Sequence, residues 1–295
     1  MCPIKDAIIL AGGRGTRMLP ASLYTPKETM PLVDTPIINH LIWEASRAGV
    51  SRIHLVLSKD KMRIFETTTK ERSLFLSKIR PDLPLESLSL EVDDVKVLLH
   101  LQKNPGGVAD AMSCALNSIS GPFLVLLGDM LLMDSHNSVE KAGPEFASRA
   151  CLDMVSSFNE NGLPTVGLYP VYDEQISKFG VVELSGNSVL GIVEKPQPKF
   201  APSEYVLCGR YIFPENTKEI LQDYPVSKYG EMQSIRILQH LIEDGGLCAV
   251  KFNDMEMYDS GNPMNWLKSQ IDHALRRDDL SPELRAWVKH RIENE

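Results

Sequence analysis

Ala11-Gly12-Gly13-Arg14-Gly15-Thr16-Arg17 follows the aliphatic run Ala7-Ile8-Ile9-Leu10 and leads on to Pro26-Lys27-Glu28. An aliphatic run that ends in glycines predicts a buried parallel strand closed by a turn whose backbone N–H groups face outward, an arrangement suited to an anion. Three glycines in four residues let the chain come close to a phosphate, because no Cβ stands in the way. Arg14, Arg17 and Lys27 add fixed positive charge around the same turn. The stretch reads as a phosphate site.

Spacing excludes two other glycine loops. A Walker loop needs G-x-x-x-x-G-K-[ST], which the chain lacks, and a dinucleotide fingerprint needs a third glycine where Met18 stands, with Pro20 soon after. The residue before a proline is pushed out of the α region, so Leu19-Pro20 and Thr25-Pro26 predict an extended, wrapping segment after the loop.

The 295 residues suffice for one large α/β domain or two small ones with a sizeable core. A composition of 43% hydrophobic and 24% charged residues is that of an ordinary soluble globular protein. The net charge of −8 argues against nucleic acid as a partner, since such surfaces carry a basic patch or stripe. Cys2, Cys114, Cys151, Cys208 and Cys248 are scattered without a C-x-x-C pair and read as reduced, mostly buried thiols rather than a disulfide framework or zinc site. A core strand begins almost at once, leaving no room for a signal peptide, and no apolar run is long enough to span a membrane. A cytoplasmic protein is expected.

Beyond the loop, Pro36 to Gly49 reads as a helix with Ile37, Leu41, Ala45 and Ala48 on one stripe and Thr35 as its cap. Ile53 to Leu57 is a second strand, Lys59 to Lys78 a charged and mostly helical stretch, and Asp82 to Asp93 an irregular excursion before a strand at Lys96 to Leu101. Gln102-Lys103-Asn104-Pro105-Gly106-Gly107 is a second turn leading into a helix at Val108 to Ser118. The aliphatic strand Pro122 to Leu127 then closes on Gly128-Asp129. Repeated strand and helix predict an α/β fold with a mostly parallel sheet and helices on both faces. From Asp153 the texture turns to strands at Asp153 to Ser157, Thr165 to Val171, Gly180 to Leu184, Ser188 to Val193 and Val206 to Phe213, with Gly186-Asn187 as a hairpin turn. Glu231 to Asp244 reads as an amphipathic helix and Leu247 to Phe252 as a strand. Pro263 to Arg277 and Pro282 to Glu293 form a helical tail, Ser281 capping the second helix.

Asp129 closes an all-aliphatic strand, where a carboxylate is costly unless it is solvated, paired or bound to a cation. Asp259, in Tyr258-Asp259-Ser260-Gly261, is a second candidate; either alone is as readily a cap or turn residue as a ligand. Glu194-Lys195-Pro196 follows a strand, and such a pair by itself is most often a solvated strand end.

Leu10-Ala11-Gly12-Gly13-Arg14-Gly15-Thr16-Arg17 with Leu19-Pro20, Pro26-Lys27 and Met30-Pro31-Leu32 resembles the signature of the sugar-1-phosphate nucleotidyltransferases. The spacing through Pro26 to Asp34 is most similar to the branch that joins UTP and glucose 1-phosphate. The resemblance runs over nearly the whole chain. It implies a Rossmann-like three-layer α/β/α nucleotidyltransferase fold with a sugar-binding β elaboration and a C-terminal helical tail. Residues 1–262 would be the catalytic domain, with a nucleotide-binding half at about 1–135 and a sugar-phosphate-binding half at about 150–262, and residues 263–295 the C-terminal helices.

The resemblance also implies roles. Ala11, Gly12 and Gly13 would hold the triphosphate with Arg17, Gln102 and Gly107 would contact the base, and Gly180 would lie against the sugar ring. Glu194 would bind sugar hydroxyls and Lys195 the sugar phosphate. Asp129 and Asp259 match the two metal carboxylates, with Mg²⁺ as the implied cofactor. Lys27 and Lys195 would meet charge that develops at the α-phosphorus and on the attacking phosphate. No general base is needed, so His40, His54 and His100 read as packing or surface residues. The implied partners are UTP or dTTP and a sugar 1-phosphate, with no nucleic acid and no membrane, and the implied assembly is a homodimer or homotetramer.

Two stretches depart from the pattern. Gly107-Val108-Ala109-Asp110-Ala111 stands where the uridylyltransferases read Gly-Leu-Gly-His-Ala and is closer to the thymidylyltransferases, and Arg236 stands where they carry an acidic residue. The first leaves uracil against thymine open, a choice worth about 1 kcal/mol of pocket discrimination; the second leaves the sugar open. A thymidylyltransferase and a catalytically silent nucleotide-sugar-binding homologue are the alternatives. A nicotinamide-dependent oxidoreductase lacks support, because the third loop glycine and an acidic residue ending the second strand are both missing.

Overall fold

The structure is a computed structural model that describes residues 4–66, 70–104, 106–230 and 233–294. Cys2, Pro105, Glu231 and Met232 lie outside these residues.

In chain order, β1 (Asp6–Leu10) enters the glycine loop, and three short 3₁₀ turns follow at Thr16–Met18, Ala21–Leu23 and Lys27–Thr29. A small ribbon of β2 (Pro31–Leu32) and β3 (Thr35–Pro36) delivers α1 (Ile37–Arg47). Next come β4 (Arg52–Leu57), α2 (Lys59–Glu66), α3 (Lys70–Ile79), β5 (Lys96–Leu101), α4 (Val108–Ser113), β6 (Phe123–Leu127) and β7 (Met130–Met133). The second part holds α5 (Ala150–Asn161), β8 (Thr165–Pro170), β9 (Gly180–Ser185), β10 (Ser188–Glu194) and β11 (Tyr205–Phe213). It continues through α6 (Thr217–Asp223), α7 (Val226–Tyr229), α8 (Gln233–Asp244), β12 (Cys248–Lys251) and β13 (Glu256–Asp259), and α9 (Pro263–Arg276) and α10 (Ser281–Glu293) end the chain.

One sheet spans both parts, in the order β5-β4-β1-β6-β11-β8-β12-β10-β9. Its first four strands run parallel. β11 then joins antiparallel to both β6 and β8, and β9 and β10 form the hairpin turned at Gly186-Asn187, where Gly186 takes φ 64°. Alternating side chains separate two cores. Ala7, Ile9, Leu124 and Leu126 point to the side covered by α1 and α5, whereas Ile8, Phe123 and Val125 share the other core with residues of α4 and α8. Both faces of β1 are thus shielded, which is why it reads as an unbroken aliphatic run.

Several local expectations change. Asp153 to Ser157 is not a strand but the middle of α5: Ala150, Cys151, Met154 and Val155 are buried at helical spacing, and Gly162, at φ 70°, ends the helix by donating to the Phe158 carbonyl. Thr35 does not cap α1; it sits in β3, and the amide of Ile37 donates instead to the Met30 carbonyl at 3.1 Å. The helix from Val108 stops at Ser113, where the Ser113 and Cys114 side chains bond back to carbonyls four residues earlier. Ser281 is the first residue of α10 rather than its cap, its hydroxyl accepting from Arg285. Leu19 is extended as its proline requires, yet the wrapping segment coils into 3₁₀ turns.

α9 grips the β2–β3 ribbon from the far end of the chain. Val33, held at φ 61°, donates to Gln270 at 2.6 Å, Gln270 donates to Pro31, and Arg277 pairs with Asp34 at 2.7 Å. A β-branched residue at positive φ is strained, so these contacts are what keep the ribbon in shape. Among the described residues no helix is long and apolar enough to cross a membrane.

Candidate active site

The site forms where the strand order reverses. β1 lies between β4 and β6, so the chain leaves the ends of β1 and β6 side by side at a switch point, where open α/β sheets bind ligands. Gly128 donates to the Leu10 carbonyl at 3.0 Å, and a Cβ on Gly128 would come within 2.5 Å of that oxygen, so only glycine lets the two strand ends meet. Asp129 follows directly. β7 then pairs antiparallel with β13, setting Asp259 opposite Met130, and Ser260 donates to the Asp129 carbonyl at 2.9 Å. Two carboxylates far apart in sequence are thereby brought to one place.

Cations surround them. The Lys27 ammonium pairs with Asp129, and its end also lies 3.9 Å from the point where a Cβ on Gly13 would stand. The Arg17 guanidinium and the Asp259 carboxylate both pack against Gly261: a Cβ there would fall 2.8 Å from Arg17 Nη2 and 2.8 Å from Asp259 Oδ1. Asp259 is held by the Gly261 amide at 2.7 Å and by Asn265 of α9 at 2.8 Å. Arg17, Asp129, Lys178, Lys195, Asp259 and Lys268 line one cleft of about 870 Å³.

A second cleft of about 620 Å³ lies along the glycine loop and is lined by Gly12, Arg14, Ser58, Lys61, Gln102 and Lys103. Ala11 is fully buried, its amide bonded to Val56 at 2.9 Å, while Gly13 and Arg14 are exposed. Behind the loop, Lys61 Nζ donates to the carbonyls of Ala11 and Gly13 and to Glu28 at 2.6–2.7 Å. Burial pushes the Glu28 carboxyl up and the Lys61 ammonium down, and their mutual attraction opposes both shifts. Sequence reasoning missed Lys61. Its signal was position: it lies four residues before Phe65, on the face of α2 that is buried.

Gln102 comes from the end of β5 and is 5% exposed; its amide nitrogen Nε2 donates to Asp110 at 2.7 Å. Gly107, at φ 97°, is the cap residue of α4. On the opposite side, Gly180 faces Glu194 across the β9–β10 pair, and a Cβ at Gly180 would press on Glu194 Oε2 at 3.1 Å. Lys195 follows at φ 47°, a left-handed conformation for a non-glycine residue, with its amide bonded to Phe179 and its ammonium 3.3 Å from Glu194. The turn aims Lys195 into the larger cleft, whereas Gly180 and Glu194 stand one residue back from cleft-lining Phe179 and Lys195.

Residues read as packing lie elsewhere. His54 and His100 meet at 2.9 Å, and His54 reaches Asp6 at the opposite end of β1 from the glycine loop. Arg236 is exposed on α8, its guanidinium 5.7 Å from the Tyr229 ring centre and its Nη1 bonded to Gln239.

No group of three or more His, Cys, Asp or Glu side chains placed to hold a metal occurs among the described residues. Two carboxylates sharing one cleft with open oxygen lone pairs are nonetheless the donor set that Mg²⁺ accepts, because it fills its remaining positions with water and phosphate oxygens.

The glycine loop lies at a switch point with paired cations and carboxylates around it, and the chain belongs to the nucleotidyl transferase family, whose model it matches over residues 6–274. It is 29% identical over 296 residues to the UTP–glucose-1-phosphate uridylyltransferase of Haemophilus influenzae, covering 96% of this chain and 98% of the relative. It is 30% identical over 298 residues to the enzyme of that name from Staphylococcus epidermidis, covering 98% of this chain and 99% of the relative. The fold matches that of a UTP-bound UGPase from Acinetobacter baumannii with a TM-score of 0.82 at 26% identity, covering 97% of this chain and 98% of that one. The three-layer nucleotidyltransferase fold expected from the resemblance is the fold observed.

Proposed function

We propose that the protein transfers the uridylyl group of UTP to glucose 1-phosphate, giving UDP-glucose and pyrophosphate. The observation that carries this reading is the convergence of Arg17, Asp129, Lys195 and Asp259 on one cleft beside the glycine loop. The names of the similar proteins support uracil and glucose as the base and sugar.

A phosphate oxygen of glucose 1-phosphate attacks the α-phosphorus of UTP, the bond to the β,γ-pyrophosphate breaks, and pyrophosphate leaves in line. Such a transfer needs positioning and cancellation of charge more than covalent help. The loop amides at Gly12 and Gly13 and the Arg17 guanidinium hold the triphosphate. Gln102 and Gly107 hold the base. Lys195 draws in the sugar phosphate, with Glu194 and the backbone of Gly180 against the sugar. Lys27, paired to Asp129, shifts onto the charge that grows at the α-phosphorus. No residue has to remove a proton, because the sugar phosphate, with a second pKa of about 6, is already largely ionised. Mg²⁺ held by Asp129 and Asp259 would act as a Lewis acid that draws charge from the phosphate oxygens.

We read residues 1–262 as one catalytic unit, its nucleotide-binding half at about 1–135 and its sugar-phosphate-binding half at about 150–262, with residues 263–295 as a helical addition. The assembly we propose is a cytoplasmic homodimer or homotetramer, supported by the exposed apolar side chains Leu267, Ile271 and Trp287 on α9 and α10; a monomeric mass by light scattering would refute it.

Pyrophosphate release with Mg²⁺ tests the reading, with UTP, dTTP, ATP, CTP and GTP each offered against glucose-, galactose-, mannose- and N-acetylglucosamine 1-phosphate. A dominant response to UTP with glucose 1-phosphate is expected. A response centred on dTTP or another sugar would reassign base or sugar, and silence throughout would favour a binding protein without turnover.

A further inference from the structure

Asp110 stands in the first turn of α4, at the position where the sequence departs from the uridylyltransferase pattern. Its Oδ2 accepts from Gln102 Nε2 at 2.7 Å and from the Gly106 amide at 3.2 Å. The contact is tight, since a Cβ on Gly106 would fall 2.9 Å from Asp110 Cγ. A carboxylate accepts hydrogen bonds and donates none, so it tolerates only the NH₂ side of the Gln102 amide. Turning the amide over would set two oxygens face to face at that distance.

The other end of the amide is fixed by the same contact. A Cβ on Gly12 would lie 2.3 Å from Gln102 Oε1, so this oxygen sits directly over the glycine loop, in the cleft assigned to the nucleotide. The Gln102 main chain is itself anchored, its amide bonded to Leu57 at 2.8 Å. Among the described residues lining that cleft, the other polar side chains are either charged, as Arg14, Asp60 and Lys61 are, or carry hydroxyls, as Ser22, Tyr24 and Ser58 do; Gln102 alone presents a neutral amide oxygen.

We propose that Asp110 is a positioning residue for base selection: it locks the Gln102 amide so that its carbonyl oxygen faces the nucleotide and selects a pyrimidine whose N3 carries a proton. Uracil and thymine offer that N–H. Cytosine presents a bare, electron-rich N3, which the carbonyl oxygen repels. A site built to receive a substrate N–H rejects an analogue lacking it far more strongly than an apolar pocket rejects a methyl group, so the device separates UTP from CTP and leaves UTP and dTTP close together. The proposal rests on the assignment of a nucleotide to this cleft.

The test is Asp110→Leu, which has a similar shape but no acceptor, so neither the Gly106 amide nor the Gln102 amide is held at position 110 and Gln102 is free to turn. Binding of UTP and of CTP by calorimetry and kcat/KM with each nucleotide are measured for both proteins. The expected result is a fall of about tenfold or more in the UTP-to-CTP preference, with KM for glucose 1-phosphate unchanged. Asp110→Asn is the conservative control: the Gly106 amide keeps its side-chain oxygen where Oδ2 stands, that oxygen still accepts from Gln102 Nε2, and the preference is expected to be retained. An unchanged preference in a folded Asp110→Leu protein overturns the proposal, as does a loss of UTP and CTP binding in equal proportion. A wild-type protein that binds UTP over CTP but releases no pyrophosphate would sink the uridylyltransferase reading while leaving Asp110 its role if the variant still loses the preference.

Discussion

Lys61 and Glu28 form an ion pair of 2.7 Å directly beneath the glycine loop, with Glu28 1% and Lys61 7% exposed. The ammonium that neutralises Glu28 also ties down two loop carbonyls, so the shape of the loop depends on a buried charge. Removing one partner leaves the other charged and dry. Lys61→Met is expected to lower the free energy of unfolding by about 3–5 kcal/mol and to weaken UTP binding. A second change, Glu28→Leu, is expected to recover much of the stability but not the binding. Urea unfolding together with UTP titration reads both, and a stable Lys61→Met protein with normal UTP affinity would remove Lys61 from the support of the loop.

Asp129 and Lys195 act on different terms of the proposed reaction. Asp129→Asn is expected to lower kcat by about a hundredfold or more with the fold intact, since it removes the carboxylate that pairs Lys27 and would hold Mg²⁺. Lys195→Ala is expected to raise KM for glucose 1-phosphate more than KM for UTP. Steady-state kinetics with each substrate varied in turn separate the two; near-normal turnover of the first, or sugar-phosphate kinetics unmoved in the second, would strike that residue from the mechanism.

Gly261 is where Arg17 and Asp259 meet. Gly261→Ala places a methyl group 2.8 Å from both side chains, so at least one of them must move. Global stability should change little, because the site is on the cleft wall rather than in either core. A drop in kcat/KM accompanied by a shift of less than about 5 °C in melting temperature, which for a chain of this size is on the order of 1–2 kcal/mol, is the expected pairing. Wild-type activity would show that Arg17 and Asp259 need not stay together.

Three histidines pack between α1 and α9: His136 and His273 meet through their Nδ1 atoms at 2.9 Å, and the His40 ring lies edge-on to His273. Burial lowers His40 to about 4 and His273 to about 3, and burial also lowers His136. The unfolded chain protonates these rings near pH 6.5 while the folded one does not, so protons favour unfolding. Stability is complete above about pH 6.5 and falls as pH drops from there toward 3, by roughly 3 kcal/mol for His40 alone. Melting temperature measured across that range should decline, and His273→Phe should flatten the decline. An unaltered slope in that variant would place the acid sensitivity elsewhere.

Local patterns were legible wherever the physics is local. The aliphatic run of β1 ending in Gly12 and Gly13, the two-residue turn at Gly186-Asn187, and the apolar stripes of α1 and α8 each follow from side-chain period and backbone freedom within a few residues. The same short range explains the failure at Asp153 to Ser157, where a few residues of mixed apolar character fit either period until the partner core on α1 is known. Thr35 failed as a cap for a related reason: the Met30 carbonyl had already taken the amide it would have served.

The sequence by itself determined that the chain carries a strand ending in a glycine loop of the kind suited to phosphate, two candidate carboxylates and the lysines that could serve them, because composition and short spacing are visible one residue at a time. Only the tertiary structure decided that Asp129 and Asp259 share a cleft, that Arg17 lies against Gly261, that Lys61 holds the loop from behind and that Asp110 sets the face of Gln102. Each of those contacts joins elements whose distance depends on strand order and register. A sheet brings Asp259 to Asp129 through the β7–β13 ladder, and a shift of one residue in that ladder would turn the carboxylate to the other face.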